Sequence, residues 1–152
     1  MTPFFQFETD FVEALRCIPM VVRFKLDTCG VKLKLQHWNQ FNLAERQQLV
    51  DAPCETPESI AAYRALVHQQ VLRYDAVPPT DLPVPDPLPW EVVTAVPQQV
   101  QDQAQSLGLS VSVAQWQGLN ALQRFALVKL SQPGHENRNF RPAYREFALD
   151  AS

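Results

Sequence analysis

The chain matches itself at an offset of 78 residues, and this internal match constrains its fold more than any other feature. The aligned pairs are Pro19/Pro97, Val22/Val100, Gly30/Gly108, Trp38/Trp116, Asn42/Asn120, Arg46/Arg124, Leu49/Leu127 and Val50/Val128. Chance agreement is the alternative, but two of the three tryptophans and two of the four glycines take part. We therefore predict one domain, residues 1–152, that contains two related halves, residues 18–74 and 96–150.

Each half opens with the pattern of a helix. The apolar positions are spaced four, four and three residues apart in both copies: Ile18, Val22, Leu26 and Cys29, then Val96, Val100, Ala104 and Leu107. This spacing puts the side chains on one helical face. A proline near the start and a glycine after the end of each stretch are also typical of helices. Cys29 aligns with Leu107, which predicts a small core residue.

Further helix starts follow from capping patterns. Ser112 and Asn120 are each followed three residues later by a glutamine, and Asn42 is followed by Glu45. The short alternating runs before them, 31–35 and 109–113, do not decide between a strand and an extended lead-in.

Three longer segments complete the predicted helices. Thr56-Pro57 begins one that runs to about Tyr74, and its counterpart runs from near Asn139 to the C-terminus. An N-terminal helix is expected over about Asp10 to Cys17. The fold class predicted is all-α.

Residues 75–95 separate the halves, and six prolines fall within residues 78–89. Proline interrupts helices and central strands, so this segment is expected to run extended. It could serve as a ligand for a proline-recognising domain. The preferred interpretation is a strap between the halves, held to the helices by Leu82, Val84, Leu88 and Trp90.

Charge and composition exclude several classes of protein. The net charge of -3, with scattered basic residues, gives no basis for binding nucleic acid. No run of 18 apolar residues is present, and no signal peptide is recognisable at the N-terminus. Three cysteines without a CxxC motif fit reduced thiols. We therefore expect a cytoplasmic protein that does not bind membranes.

In order and spacing, many short motifs resemble the nitrate reductase-associated protein family. They include Phe5-Gln-Phe7, Ile18-Pro-Met-Val-Val-Arg23, Trp38, Arg46, Pro53-Cys54, Tyr63, Trp116, Arg124-Phe125, Lys129-Leu130, His135 and Asn139-Phe140. The resemblance implies a small cyanobacterial or bacterial protein, typically encoded near nitrate reductase and molybdopterin-synthesis genes. It implies a role in supporting active nitrate reductase, with that enzyme or a protein that makes or delivers its molybdenum cofactor as partner. The resemblance supplies no catalytic residues.

No catalytic motif is recognisable in the chain. The four glycines form no phosphate-binding loop or dinucleotide fingerprint, and GxSxG, HExxH and paired CxxC motifs are absent. We therefore expect a non-catalytic protein with no cofactor of its own.

The alternative is a protein that binds a metal or a small ligand. Cys54, His68 and His135 could form a thiolate–imidazole or metal site, but their separations are irregular, and packing or capping roles are favoured. Arg46 and Arg124 could hold an anion such as a pterin phosphate. The favoured role for this pair is structural, bonding a carboxylate or the carbonyls that end a helix.

Aromatic residues raise the same two alternatives. Trp38 and Trp116, at equivalent positions of the halves, are interpreted as core anchors rather than a binding pair. Tyr74 and Trp90, near the proline-rich segment, are expected to be exposed contact points for a partner.

Overall fold

The computed structural model describes residues 4–9, 15–133 and 138–150. The chain divides into two compact units, Met1–Val84 and Pro85–Ser152. The described residues contain eight α-helices and one pair of two-residue strands, so the prediction of a mainly helical protein is confirmed.

Four α-helices lie in the described part of the first unit. They are α1 (Met20–Cys29), α2 (Leu35–Gln40), α3 (Leu43–Asp51) and α4 (Pro57–Leu72), preceded by a short 3-10 turn at Gln6–Glu8. Strands β1 (Val31–Lys32) and β2 (Thr80–Asp81) pair antiparallel, with Val31 opposite Asp81. Helix α1 packs against α4. The core between the helices holds Trp38, Tyr63, Leu49, Val22 and Val67, which are all at most 1% exposed.

The described residues of the second unit also contain four α-helices. They are α5 (Gln98–Ser106), α6 (Val113–Gly118), α7 (Ala121–Leu130) and α8 (Phe140–Glu146). Its core contains Trp116, Phe125, Leu127 and Phe140, each with no exposed surface. As expected, Trp38 and Trp116 are buried in the cores of their units.

Capping groups set the helix boundaries where the sequence predicts them. Asn42, Ser112 and Asn120 each accept a hydrogen bond from the backbone amide three residues later, and the side chain at that third residue bonds back to the cap. These reciprocal bonds satisfy amides that a helix start leaves without partners. Helices α1 and α5 follow Pro19 and Pro97.

The C-terminal helix differs from its prediction, because α8 ends at Glu146 rather than at the C-terminus. Ala148 adopts a left-handed conformation with φ of 59°, and the Leu149 amide donates to Tyr144 O at 3.1 Å. This bond closes the helix end in the manner of a Schellman motif. The turn buries Phe147 and Leu149, which are 8% and 4% exposed. Burial of these two side chains therefore outweighs continuation of the helix.

Two other expectations concern the alternating runs after the glycines and the N-terminal helix. The run after Gly30 forms β1, whereas the run after Gly108 is not a strand. Residues 10–14 of the expected N-terminal helix lie outside the described part of the chain.

The proline-rich segment contains no helix between Val77 and Trp90. Leu88 and Trp90 are buried, whereas Leu82 and Val84 are 43% and 40% exposed. The division between the two units falls inside this segment, after Val84. Its role as a strap stays a prediction.

Candidate functional site

Arg46 lies within the first unit and binds backbone carbonyls. Its Nε donates to Trp38 O at 3.1 Å, and its two terminal nitrogens donate to Leu15 O at 3.0 Å and Asn39 O at 3.3 Å. The guanidinium also lies over the Trp38 ring, 5.7 Å from its centre. Trp38 and Asn39 belong to the last turn of α2, where Trp38 O also accepts a hydrogen bond from the Phe41 amide at 3.1 Å.

Arg124 makes the corresponding contacts in the second unit. Its Nε donates to Trp90 O at 2.7 Å, and its Nη1 donates to Trp116 O at 3.5 Å and to Leu119 O. Both arginines therefore bond the carbonyls that end a six-residue helix, which is the arrangement that the structural interpretation requires. An anion site at Arg46 and Arg124 stays a prediction.

The thiol and imidazole candidates have different neighbours. His68 Nε2 lies 2.8 Å from Asp81 Oδ1, which links α4 to β2. Cys54 is 5% exposed, and its Sγ lies 3.6 Å from Lys25 O. His135 lies outside the described residues. Within residues 4–9, 15–133 and 138–150, no group of three or more His, Cys, Asp or Glu side chains could hold a metal ion.

Cys54 has two neighbours that the sequence did not reveal as a group. The thiol of Cys29 and the ammonium of Lys25 both lie close enough to act on it electrostatically. Lys25 Nζ donates to Val50 O and Ala52 O, both at 2.6 Å. These three side chains come from α1 and from the loop that follows α3, so only the tertiary structure brings them together.

Glu45 organises a polar network at the surface of the first unit. Although it is 5% exposed, its carboxylate accepts hydrogen bonds from the Asn42 amide at 2.8 Å, Arg73 Nη1 at 3.0 Å and the Tyr74 hydroxyl at 2.5 Å. Burial by itself would raise the pKa of Glu45, but the bonds from Tyr74, Asn42 and Arg73 outweigh it and lower that pKa. The bond to Glu45 in turn raises the pKa of Tyr74.

This network holds Tyr74 at an exposed, partly apolar surface. The ring of Tyr74 is 42% exposed and lies 6.0 Å from the ring of Phe41. Leu43 and Val77, on the two segments that meet at Glu45 and Tyr74, are 59% and 66% exposed. We call Leu43, Tyr74 and Val77 the Tyr74 surface. Exposed large apolar side chains near an anchored aromatic residue are features of protein-binding surfaces.

Trp90 differs from its expected exposure. It is only 5% exposed, and its ring packs edge-on against Phe125 with 4.9 Å between the ring centres. The expectation of an exposed Trp90 side chain was therefore wrong. The residue occupies the core of the second unit because its backbone carbonyl is held by Arg124 while its ring fills space beside α7.

No helix within the described residues has both the length and the apolar character needed to cross a membrane.

Comparison with known proteins gives one match. The model of a family described as "Conserved nitrate reductase-associated protein (Nitr_red_assoc)" matches residues 4–147. No curated protein and no solved structure matches the chain. The family resemblance predicted from the sequence motifs is thereby confirmed.

Proposed function

Because the chain belongs to the family of conserved nitrate reductase-associated proteins, we propose that it is a non-catalytic accessory protein of nitrate assimilation. It works in the cytoplasm, by binding either nitrate reductase or a protein that makes or delivers the enzyme's molybdenum cofactor. The family match over residues 4–147 is the observation that carries this proposal. In this proposal the chain contributes a binding surface and no reacting group.

The Tyr74 surface is the proposed contact region. Leu43 and Val77 expose most of their side chains, and hydrogen bonding to Glu45 restricts the rotation of Tyr74. A restricted aromatic ring loses little conformational entropy when a partner covers it. Among the residues that the structure describes, seven of the eight exposed large apolar side chains belong to the first unit: Leu35, Leu43, Leu72, Tyr74, Val77, Leu82 and Val84. This distribution supports a contact on the first unit.

Affinity purification from nitrate-grown cells tests the proposal. The tagged wild-type chain is expected to recover nitrate reductase or a protein of molybdenum-cofactor synthesis or delivery. The double variant Leu43→Asp/Val77→Asp is expected to recover at least about tenfold less, a loss of about 1.4 kcal/mol in binding. Both substituted side chains are largely exposed, and an aspartate at the first position of α3 suits a helix start.

The control substitutes an exposed apolar residue at the same helical position in the other unit. Val113 is the first residue of α6 and is 41% exposed, so Val113→Asp introduces one negative charge, as each substitution of the double variant does, without touching the Tyr74 surface. Its recovery should equal that of the wild type. Failure of the wild type to recover either class of partner contradicts the accessory role, and equal recovery by the double variant excludes the Tyr74 surface.

We also propose that the two units derive from one duplicated structural unit, joined by the proline-rich segment as a strap. Matching contacts support this: Arg46 and Arg124 bond the carbonyls of Trp38 and Trp116, and the helices that carry these tryptophans have equal lengths at the same offset.

A further inference from the structure

Two buried thiols lie side by side at the end of α1. Cys29 Sγ is 3.5 Å from Leu26 O, and Cys54 Sγ is 3.6 Å from Lys25 O, the carbonyl of the preceding residue in the same helix. Each thiol also acts electrostatically on the other. Cys29 and Cys54 are 0% and 5% exposed and belong to the same apolar core cluster. Bulk water is therefore largely excluded from a pair of adjacent sulfur atoms.

Lys25 supplies positive charge to this pair. Its Nζ is fixed by Val50 O and Ala52 O, the carbonyls that lead into the loop carrying Cys54. Tyr63 also lines the cluster, but its hydroxyl donates to Leu49 O at 2.7 Å and is therefore not directed at the sulfurs. The charged groups beside the thiols are thus the Lys25 ammonium and the Arg64 guanidinium, whose Nε donates to Cys29 O at 2.9 Å, and both favour a negative charge on sulfur.

The two thiols are electronically unequal. The Cys29 thiol lowers the pKa of Cys54, against the opposing effect of burial, and Lys25 lowers it further. The Cys54 thiol and burial raise the pKa of Cys29, against the opposing effect of Arg64. The thiol of Cys29 donates to Leu26 O at 3.5 Å. A thiolate beside a protonated thiol is the combination that allows one sulfur to attack and the other to resolve the product.

We propose that Cys54 and Cys29 form an oxidisable dithiol, which a hydroperoxide converts into an intramolecular disulfide. The Cys54 thiolate attacks the peroxide, so that an S–O bond forms, the O–O bond breaks, and hydroxide leaves and takes a proton from solvent. Cys29 then attacks the Cys54 sulfenic acid, the S–S bond forms, and its thiol proton leaves with the hydroxyl group as water. Two thiols and one hydrogen peroxide thus give one disulfide and two waters.

The third cysteine makes the site testable on the isolated protein. Cys17 has no part in the pair and is only partly exposed, so it serves as the internal reference. The purified chain is treated with hydrogen peroxide, unfolded and alkylated, and its free thiols are counted by mass spectrometry. The wild type is expected to lose two of its three free thiols, and Cys17→Ser both of its remaining two. Digestion without reductant should give one disulfide-linked peptide pair, which contains Cys29 and Cys54.

Single variants separate the two roles. Cys29→Ser should accumulate a sulfenic acid at Cys54 that dimedone traps, whereas Cys54→Ser should retain both thiols. A variant that fails to fold is replaced by a measurement on the wild type: oxidation should raise its thermal midpoint, and dithiothreitol should reverse the shift, because the disulfide closes a loop. Three intact thiols after peroxide, or a disulfide that includes Cys17, would overturn the proposal and leave the pair as core packing. None of these results depends on nitrate reductase or another partner.

Discussion

At the scale of single residues, the arginines show how one side chain joins separate parts of a unit. Arg46 connects the end of α2 to Leu15, and Arg124 connects the end of α6 to Trp90. Each guanidinium adds charged donors to carbonyls at the end of a short helix, where few backbone amides are available. A planar group with five donors suits such a cluster of acceptors, whereas the single nitrogen of lysine does not reproduce its geometry.

We predict that Arg46→Ala and Arg124→Ala each destabilise the protein by on the order of 1–3 kcal/mol, because three carbonyls each lose a charged donor and the guanidinium no longer joins separate parts of its unit. The two losses should be similar, since each arginine bonds three carbonyls. Urea unfolding at constant pH measures both. The control is Arg→Lys at each site. These variants should also be less stable than the wild type, because lysine keeps the positive charge but lacks the planar set of N–H donors. Unchanged stability in both alanine variants would argue for an anion site instead.

Glu45 gives a prediction for the dependence of stability on pH. Its pKa is lowered in the folded state from an ordinary value of 4.5. The folded state therefore binds the proton less readily than the unfolded chain, so this stabilisation is complete above about pH 4.5 and is lost as the pH falls through the folded-state pKa. In Glu45→Gln, the side-chain oxygen can still accept a hydrogen bond from the backbone amide of the cap residue, as that of Gln123 does in the second unit. The substitution removes the negative charge to which Arg73 and Tyr74 donate.

The difference in unfolding free energy between wild type and Glu45→Gln should thus be constant from pH 7 to about pH 5 and should shrink at lower pH. Denaturant unfolding at a series of pH values measures it. Gln123→Glu is a matched control for a change of charge at the same capping position. A difference that grows as the pH falls would show that burial, rather than hydrogen bonding, dominates the environment of Glu45.

At the scale of elements, local signals predicted most helix starts and fewer helix ends. Caps at Asn42, Ser112 and Asn120 act within one turn, so the sequence contains the whole interaction. The end of α8 depends on where the side chains of Phe147 and Leu149 are buried. Sequence periodicity does not predict that, because the residues they pack against lie elsewhere in the chain. For the same reason, the pairing of β1 with β2 was left open by an alternating run of five residues.

The two glycines that end α1 and α5 have similar conformations but different surroundings. Gly30 and Gly108 have φ of 76° and 72°. A Cβ at Gly30 would lie 2.6 Å from Leu82 O and 2.7 Å from Val84 Cγ2, whereas a Cβ at Gly108 would meet nothing within 4 Å. The Leu82 amide also donates to Gly30 O at 2.8 Å. Gly30 therefore allows the beginning of the proline-rich segment to approach α1 closely.

We predict that Gly108→Ala destabilises the protein by about 1 kcal/mol, the cost of a left-handed alanine. Gly30→Ala should destabilise it by an additional ~1–3 kcal/mol, because the backbone at Leu82 has to move. Thermal unfolding of the two variants under identical conditions measures the difference. Equal losses of stability would mean that the backbone at Leu82 and Val84 can move to make room for a Cβ without lowering the free energy of unfolding.

At the scale of the whole molecule, the question is whether the two units are interchangeable. Helices α2 and α6 contain six residues each, and both have a buried tryptophan at the fourth position. In each unit an arginine donates to the backbone carbonyl of that tryptophan. If the units derive from one ancestor, their local environments should accept each other's sequence. The reason is that an exchange of the two helices leaves a tryptophan at the same buried position, and cores tolerate substitutions that keep the buried volume.

We predict that a chimera in which residues 35–40 are replaced by the sequence of α6 still folds cooperatively and loses at most about 2 kcal/mol of stability. Far-UV circular dichroism and denaturant unfolding measure both properties. The control carries the same replacement with its tryptophan moved by one position, which rotates the ring away from the core and should abolish cooperative unfolding. Equal behaviour of the chimera and the control would contradict the duplication.

Periodicity, capping patterns and the order of motifs predicted the helical class, the caps and the family, because these are local or additive properties of the chain. Which side chains meet depended on the tertiary structure. It buried Trp90 and brought Cys54 next to Cys29 and Lys25. These outcomes depend on how the helices of each unit pack, because the energies of burial and of charge are set by neighbours that lie far apart along the chain.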